Sequence, residues 1–210
     1  MRVFVSLLMI LGLSSLVYAD YDEGIEYEVL SKIQPAPTDG KVEVIEFFSY
    51  GCPHCYRFEP YIEKWKETKS DNVVFIHVPA VFSDYWGSLA TLYYAAEVLG
   101  IEDKVHIDIF EAVSAIQAKR KKVHPFEDLK AVFEKHGVSA EKFKQALESF
   151  NVNKKTRRAK TMTQTYGISS VPNVVVQGKY RTNGTLAQGH ANVFKVVDFL
   201  SEEIEKNEKK

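Results

Sequence analysis

Cysteine is nearly absent: the 210 residues hold two, Cys52 and Cys55, alongside three methionines and two tryptophans. A single C-x-x-C pair closes too short a loop to staple a fold, so a disulfide-rich scaffold is excluded. An excess of charge of either sign is also missing. The 27 basic and 28 acidic side chains leave a formal net charge of -1, which gives no reason to expect nucleic acid or an anionic membrane surface as partner. Long apolar runs are few. Val3 to Leu13, broken only by Ser6 and Gly12, is too short for a comfortable membrane span. No internal repeat or low-complexity tract stands out. The basic runs Lys119-Arg120-Lys121-Lys122 and Lys154-Lys155 with Arg157-Arg158 read as solvated helix faces.

What is present is an ordinary globular composition, 45% hydrophobic and 26% charged, in a length that suits one domain with room for an insertion. Arg2, the apolar run and the small-residue site Val17-Tyr18-Ala19 predict a secretory signal peptide over 1–19. The mature chain would then start near Asp20, exported and not membrane-embedded. Export matters for the cysteines, because disulfides persist in an oxidising compartment.

Asp20 to Gly40 is polar and reads as a lead-in arm. Val42 to Phe48 is almost continuously apolar and β-branched, as in a strand covered on both faces. A helix follows, with Cys52 at its N-cap and Pro53 at its first position, where a missing N–H costs nothing. Cys55, Phe58, Ile62 and Trp65 recur at spacings of three and four and form its buried face. Pro60 predicts a kink. Val73 to Val78 is a second strand, stopped by Pro79.

Residues 81–151 read only as helix, in four amphipathic stripes. The last is capped by Ser139, with Phe143, Ala146, Leu147 and Phe150 inward. A basic helix from Lys154 to Tyr166 ends at Gly167. Val171 to Val176 and Tyr180-Arg181-Thr182 form a hairpin around Gly178, and a last helix buries Val193, Val196, Val197, Leu200 and Ile204. Without the helical block the order is β-α-β…α-β-β-α, an α/β sheet with helices on both faces. The expected boundaries are 20–80 and 152–210 for the two parts of the sheet domain and 81–151 for the insertion.

The segment Glu-Phe-Phe-Ser-Tyr-Gly-Cys-Pro-His-Cys-Tyr at 46–56 resembles the active-site segment of DsbA-type thiol-disulfide oxidoreductases. Val171-Pro172 resembles that family's cis-proline loop, and the helical insertion resembles theirs in place and size. The resemblance implies a thioredoxin-like fold, with a central mixed sheet and an inserted all-helical subdomain. It also implies a periplasmic enzyme that donates a Cys52–Cys55 disulfide to reduced, unfolded exported proteins. A quinone-linked membrane reoxidase of the DsbB type would recharge it, and no metal or bound cofactor is called for.

The residue types suit that chemistry. At a helix N-terminus the Cys52 sulfur meets unpaired N–H groups and the positive end of the helix dipole, both favouring thiolate; DsbA proteins are themselves the type example of such a depressed thiol. A stabilised thiolate stabilises the reduced protein and makes the disulfide the better oxidant. Cys55, one turn along, faces inward and closes the bridge. Pro53 and His54 tune the pair, and the His54 imidazole is expected to lower the Cys52 pKa, so that His54→Ala would weaken the oxidant. Glu46 in the apolar strand is costly unless partnered or functional, and its expected role is to perturb the cysteine titrations or relay a proton to Cys55. Glu59 joins the same acidic network, but no basic partner for it is evident near Phe75. A cis bond at Val171-Pro172 would leave the preceding backbone free to pair with an extended peptide.

Three other readings stay open. C-x-x-C supplies two zinc ligands, and six histidines are available, but none forms a second pair at ligand spacing. A c-type haem site is excluded because Tyr56 follows Cys55 where histidine is needed. A disulfide isomerase or reductase on the same fold would carry an N-terminal dimerisation region, for which the lead-in arm is too short. A periplasmic peptide-binding chaperone would use the groove between insertion and sheet, and would keep its activity without cysteines.

Overall fold

The computed structural model describes residues 21–36 and 40–208, so the signal-peptide expectation for 1–19 lies outside the described residues. The elements run β1 (Glu28–Val29), β2 (Val42–Phe48), α1 (Pro53–Lys66), β3 (Val73–Pro79), α2 (Asp84–Val98), α3 (Glu102–Ala118), α4 (Pro125–Lys135), α5 (Ala140–Glu148), α6 (Phe150–Thr165), β4 (Asn173–Val176), β5 (Tyr180–Thr182) and α7 (His190–Glu208). The sheet order is β1-β5-β4-β2-β3. Strands β2 and β3 are parallel and the other three pairings antiparallel, so the sheet is mixed, as expected.

All seven residues of β2 are buried, including Glu43 and Glu46. Side chains alternate between the faces of a strand. Val42 and Val44 pack with Phe58, Ile62 and Trp65 of α1 and with Val193, Val196 and Val197 of α7. Ile45 and Phe47 join the larger core built with the helical block. Each fully buried aliphatic or aromatic side chain contributes roughly 1.5–3 kcal/mol, so a strand enclosed on both sides anchors the molecule. Glu46 lies two residues past Val44 on the α1 side. The pleat that buries the valines therefore buries its carboxyl too.

Helix α1 runs unbroken through Pro60. Pro79 is the last residue of β3 rather than the residue that stops it, and β3 is an edge strand, where a missing N–H breaks no ladder. The lead-in arm contributes β1, too short to show as a pattern, which is held by an Arg181–Glu28 ion pair of 2.6 Å. The arm also pairs with the β4–β5 turn, where the Gln34 N–H donates to the Gly178 carbonyl at 2.8 Å. Gly178 has φ +57°, and a Cβ there would collide with the Gln34 carbonyl oxygen, so this approach requires glycine.

Helices α2 to α5 lie between β3 and α6, with Phe133 and Phe143 stacked at 3.8 Å between ring centroids. Phe150 departs from its inward expectation. Helix α5 ends at Glu148, and the Ser149 hydroxyl accepts from the Val152 N–H to cap α6. Phe150 thus becomes the first residue of a new helix and is 72% exposed. A serine that caps resets the helical phase, and every inward position after it moves.

Candidate active site: a C-x-x-C pair at a helix N-terminus

Strand β2 delivers the chain to the start of α1, and Cys52 is the N-cap in extended conformation at φ -105°, ψ 109°. Its sulfur accepts from the Cys55 N–H at 3.3 Å and donates to the Val171 carbonyl oxygen at 3.6 Å. Pro53 occupies the first helical turn, where it withdraws one donor without breaking a helical bond. Both cysteines are free thiols, the reduced state of the pair.

Their environments differ in one decisive respect. Cys52 keeps 8% exposure at the surface and Cys55 has none. The Cys52 thiol is lowered from 9.0 to about 7, chiefly by the hydrogen bond from the Cys55 side chain. Burial opposes that shift, while the backbone N–H groups of Cys55 and His54 and the Arg57 charge add to it. Cys55 moves the other way, pushed well up by burial, by its bond to Cys52 and by the Glu46 charge. The sulfurs titrate as a pair, and the proton stays on the inner one.

His54 and Val171-Pro172 arrive at the same place from distant parts of the chain. The His54 imidazole accepts from the Arg57 guanidinium at 3.1 Å, so it is the His54 backbone N–H that faces the sulfur. The Val171–Pro172 peptide is cis. Its loop is fixed by the Asn173 side-chain amide, which donates to the Ser170 carbonyl at 2.8 Å and accepts from Asn183 at 3.1 Å. Beside it opens a groove of about 610 Å³, lined by His54, Ser170, Val171, Pro172 and His190 among others.

Behind Cys55 lie the acids. Glu46 is fully buried, and its Oε2 is 3.2 Å from the Nε2 of His77, the residue opposite it on β3. Glu59 lacks a basic partner in sequence but has one in space, with its Oε1 3.3 Å from the Nε2 of His106 on α3. Phe75 packs edge-on against Trp65, leaving His77 to face Glu46. The Tyr50 hydroxyl holds His106 Nδ1 at 2.9 Å, and the two imidazoles stack with centroids 4.8 Å apart. Burial, Glu59 and Cys52 raise the Glu46 carboxyl well above its usual range, and burial, His106 and Lys66 lower His77. Each shift favours the uncharged form of its group, as expected for polar groups in an apolar interior.

Every site residue expected from the sequence is therefore at or next to the sulfurs. Arg57, His77, His106 and Tyr50 were not singled out. A period-of-two reading of β3 places His77 and Phe75 on one face, a signal available in sequence. Nothing local in α3 points His106 at Glu59.

Comparison with known proteins agrees with this geometry. The sequence profile of the family described as Thioredoxin matches residues 37–192. The thiol:disulfide interchange protein DsbA of Azotobacter vinelandii is 40% identical over 189 residues, 90% of this chain and 87% of that protein. Its Burkholderia cepacia counterpart is 39% identical over 197 residues, 92% of this chain and 91% of that one. The crystal structure of Pseudomonas aeruginosa DsbA superposes with a TM-score of 0.82 at 37% identity, covering 90% of this chain and 97% of that chain. Likeness of this extent, in sequence and fold together, means that the chain belongs to the DsbA family of thioredoxin-like thiol:disulfide oxidoreductases.

Proposed function

We propose that the oxidised Cys52–Cys55 pair is donated to reduced, unfolded exported proteins in the periplasm. A substrate thiolate attacks the Cys52 sulfur, the Cys52–Cys55 bond breaks, and the Cys55 sulfur leaves and takes a proton. A second substrate thiolate then attacks the substrate sulfur of the mixed disulfide and expels Cys52 as thiolate. Two electrons pass to the protein, and the substrate keeps the new disulfide. The asymmetry of the two sulfurs carries this reading: the outer one is a good leaving group at neutral pH and the inner one holds its proton.

The groove beside Val171 supports an extended substrate backbone laid next to Cys52, recognised through the main chain rather than by sequence. A signal peptide over 1–19, a mature chain divided at 20–80, 81–151 and 152–210, and a DsbB-type quinone-linked partner complete the proposal. Among the described residues no helix is long and apolar enough to cross a membrane. Isomerase, reductase and chaperone readings lack a comparable observation. Equilibrating the pair with glutathione tests the assignment: the expected potential is clearly more oxidising than that of thioredoxin, and one in the thioredoxin range sinks it.

The thiolate also ties redox state to pH. A thiol whose folded pKa is near 7, against 9.0 unperturbed, adds stability to the reduced fold above the unfolded value, and loses it as pH falls through 7. Neither sulfur titrates in the oxidised protein. The reduced form should therefore gain roughly 1–2 kcal/mol over the oxidised form between pH 6 and 8.5, after allowance for solvent near the sulfur. The gain flattens near pH 9, where Cys55 is held protonated only in the fold. Urea unfolding of both forms at the two pH values measures it, and a constant difference would contradict the thiolate assignment.

The role of His54 is narrower than the sequence suggests. His54→Ala keeps the backbone N–H and loses the anchor of Arg57, so the Cys52 pKa should rise by less than about one unit. His54→Pro removes the N–H itself at a first-turn position that tolerates proline, and should raise it further. Thiolate absorbance at 240 nm, followed against pH, separates the two.

A further inference from the structure

The buried polar atoms behind Cys55 form short approaches without forming hydrogen bonds. Both oxygens of Glu59 and the Nε2 atoms of His77 and His106 are buried and have no aligned hydrogen-bond partner. Yet Glu59 Oε1 and His106 Nε2 are 3.3 Å apart, and one donor atom from each of Glu59, His77 and His106 lies within 4.8 Å of the others. Buried polar atoms that converge on one another unsatisfied are costly, at roughly 1–3 kcal/mol each. A cation at their centre would satisfy all three.

We propose that Glu59, His77 and His106 form a binding site for one divalent transition-metal ion, with Zn²⁺ the best match. Imidazole nitrogen and carboxylate oxygen bind Zn²⁺ at about 2.0–2.2 Å, and two imidazoles with one glutamate and an open position are a recurrent donor set. On a tetrahedral ion such donors stand about 3.3 Å apart, the separation that Glu59 and His106 already have. His77, whose donor lies within 4.8 Å of the other two, must move inward to close the set, leaving the fourth position to water. His106 has its outer support. Tyr50 holds the far nitrogen of His106, which fixes the ring with Nε2 toward the site. The fully buried Glu46 carboxyl lies 3.2 Å from the Nε2 of His77 and adds a fourth buried polar group beside the three donors.

The site also has an entrance. A cavity of about 310 Å³ reaches from His77 and His106 to a mouth carrying Glu63, Glu102, Asp103 and Lys66. Three carboxylates face one ammonium there, and Lys66 is itself paired with Glu63 at 2.9 Å. The opening therefore favours cations. These ligands come from α1, β3 and α3, so no C-x-x-C or histidine spacing announces them. The site is distinct from the thiols, which would themselves bind zinc and must be removed to see it.

The test uses the full chain with Cys52→Ser and Cys55→Ser, titrated with Zn²⁺ by calorimetry and by NMR of the histidine rings. The expected result is one equivalent bound, with the ring resonances of His77 and His106 shifted and a higher unfolding temperature in zinc. Tyr50→Phe, which keeps the ring and loses only the hydroxyl, should weaken binding about 10–100-fold. Glu59→Gln should weaken it at least as much. If Glu59→Gln does not fold, the Tyr50→Phe affinity and the ring shifts decide. No saturable binding with zinc in several-fold excess overturns the proposal. So does binding that leaves His77 and His106 unmoved, or that Tyr50→Phe does not weaken. Because the cysteines are absent, none of these outcomes bears on the oxidoreductase reading.

Discussion

Replacing either cysteine is expected to reduce oxidation of a dithiol peptide to the uncatalysed rate, because the described pair is the chain's entire stock of thiols. The two variants should nevertheless behave very differently towards an alkylating agent. Cys55→Ser leaves Cys52 at the helix N-terminus, and the serine hydroxyl can replace the S–H that donates to it. About half of this sulfur is thiolate at pH 7 if its pKa stays near 7. Cys52→Ser leaves Cys55, fully buried and pushed well above 9.0. Only the thiolate reacts, so iodoacetamide should modify the first variant at least ~100-fold faster than the second at pH 7. Cys55→Ala removes the S–H altogether and should slow the Cys52 reaction relative to Cys55→Ser. Equal rates in the two serine variants would show that the sulfurs are not differentiated by the fold, and the proposed order of attack would fail with them.

The largest effect on stability is expected from His106→Ala. Its ring meets Phe48, Tyr50, His77 and Phe110 at centroid distances between 4.8 and 5.3 Å, and its two nitrogens face Tyr50 and Glu59. Truncation opens a cavity among these rings, costs the Tyr50 hydroxyl its hydrogen bond and takes from the Glu59 carboxyl its nearest polar neighbour. Removing one member of a buried pair costs about 3–5 kcal/mol, which for a chain of this size lowers the unfolding temperature by about 6–20 °C. The double variant His106→Leu with Glu59→Leu removes both polar partners and fills the space. It should recover much of that loss, since a well-packed apolar replacement of a buried pair is often neutral or stabilising. Thermal and urea unfolding of His106→Leu, Glu59→Leu and the double variant make a cycle that isolates the Glu59–His106 term. A loss below about 1 kcal/mol in His106→Ala would mean that neither the packing of the ring nor its polar neighbours contribute as described.

The two experiments probe parts of the site that differ in how far sequence reveals them. The α1 N-terminus was legible because each of its determinants is local. Val42 to Phe48 shows the strand, Cys52-Pro53 shows a cap and a first turn, and Cys55, Phe58, Ile62 and Trp65 show the buried face. A sulfur at that N-cap must meet the free N–H groups of the first turn, whatever the rest of the chain does. Glu46 was conspicuous for a similar reason, being a carboxyl in a strand with no polar face. The β4–β5 hairpin and its Val171-Pro172 approach were likewise marked by residue type.

What the tertiary structure decided is who meets whom. Glu46 with His77 follows from strand register, and Glu59 with His106 from the packing of α3 against α1, across 47 residues of chain. The direction of the His54 imidazole depended on whether Arg57, one turn away, would take it. Phe150 depended on where one helix ended and Ser149 could cap the next. Periodicity tells which face of an element is buried but not which neighbour covers it. The sequence alone therefore determined the strands β2 to β5, the helix start and the reactive pair, since short-range sterics, capping and alternation suffice for those. The fold determined the buried Glu–His cluster behind the pair, because only long-range packing brings unsatisfied polar groups from three elements to one point.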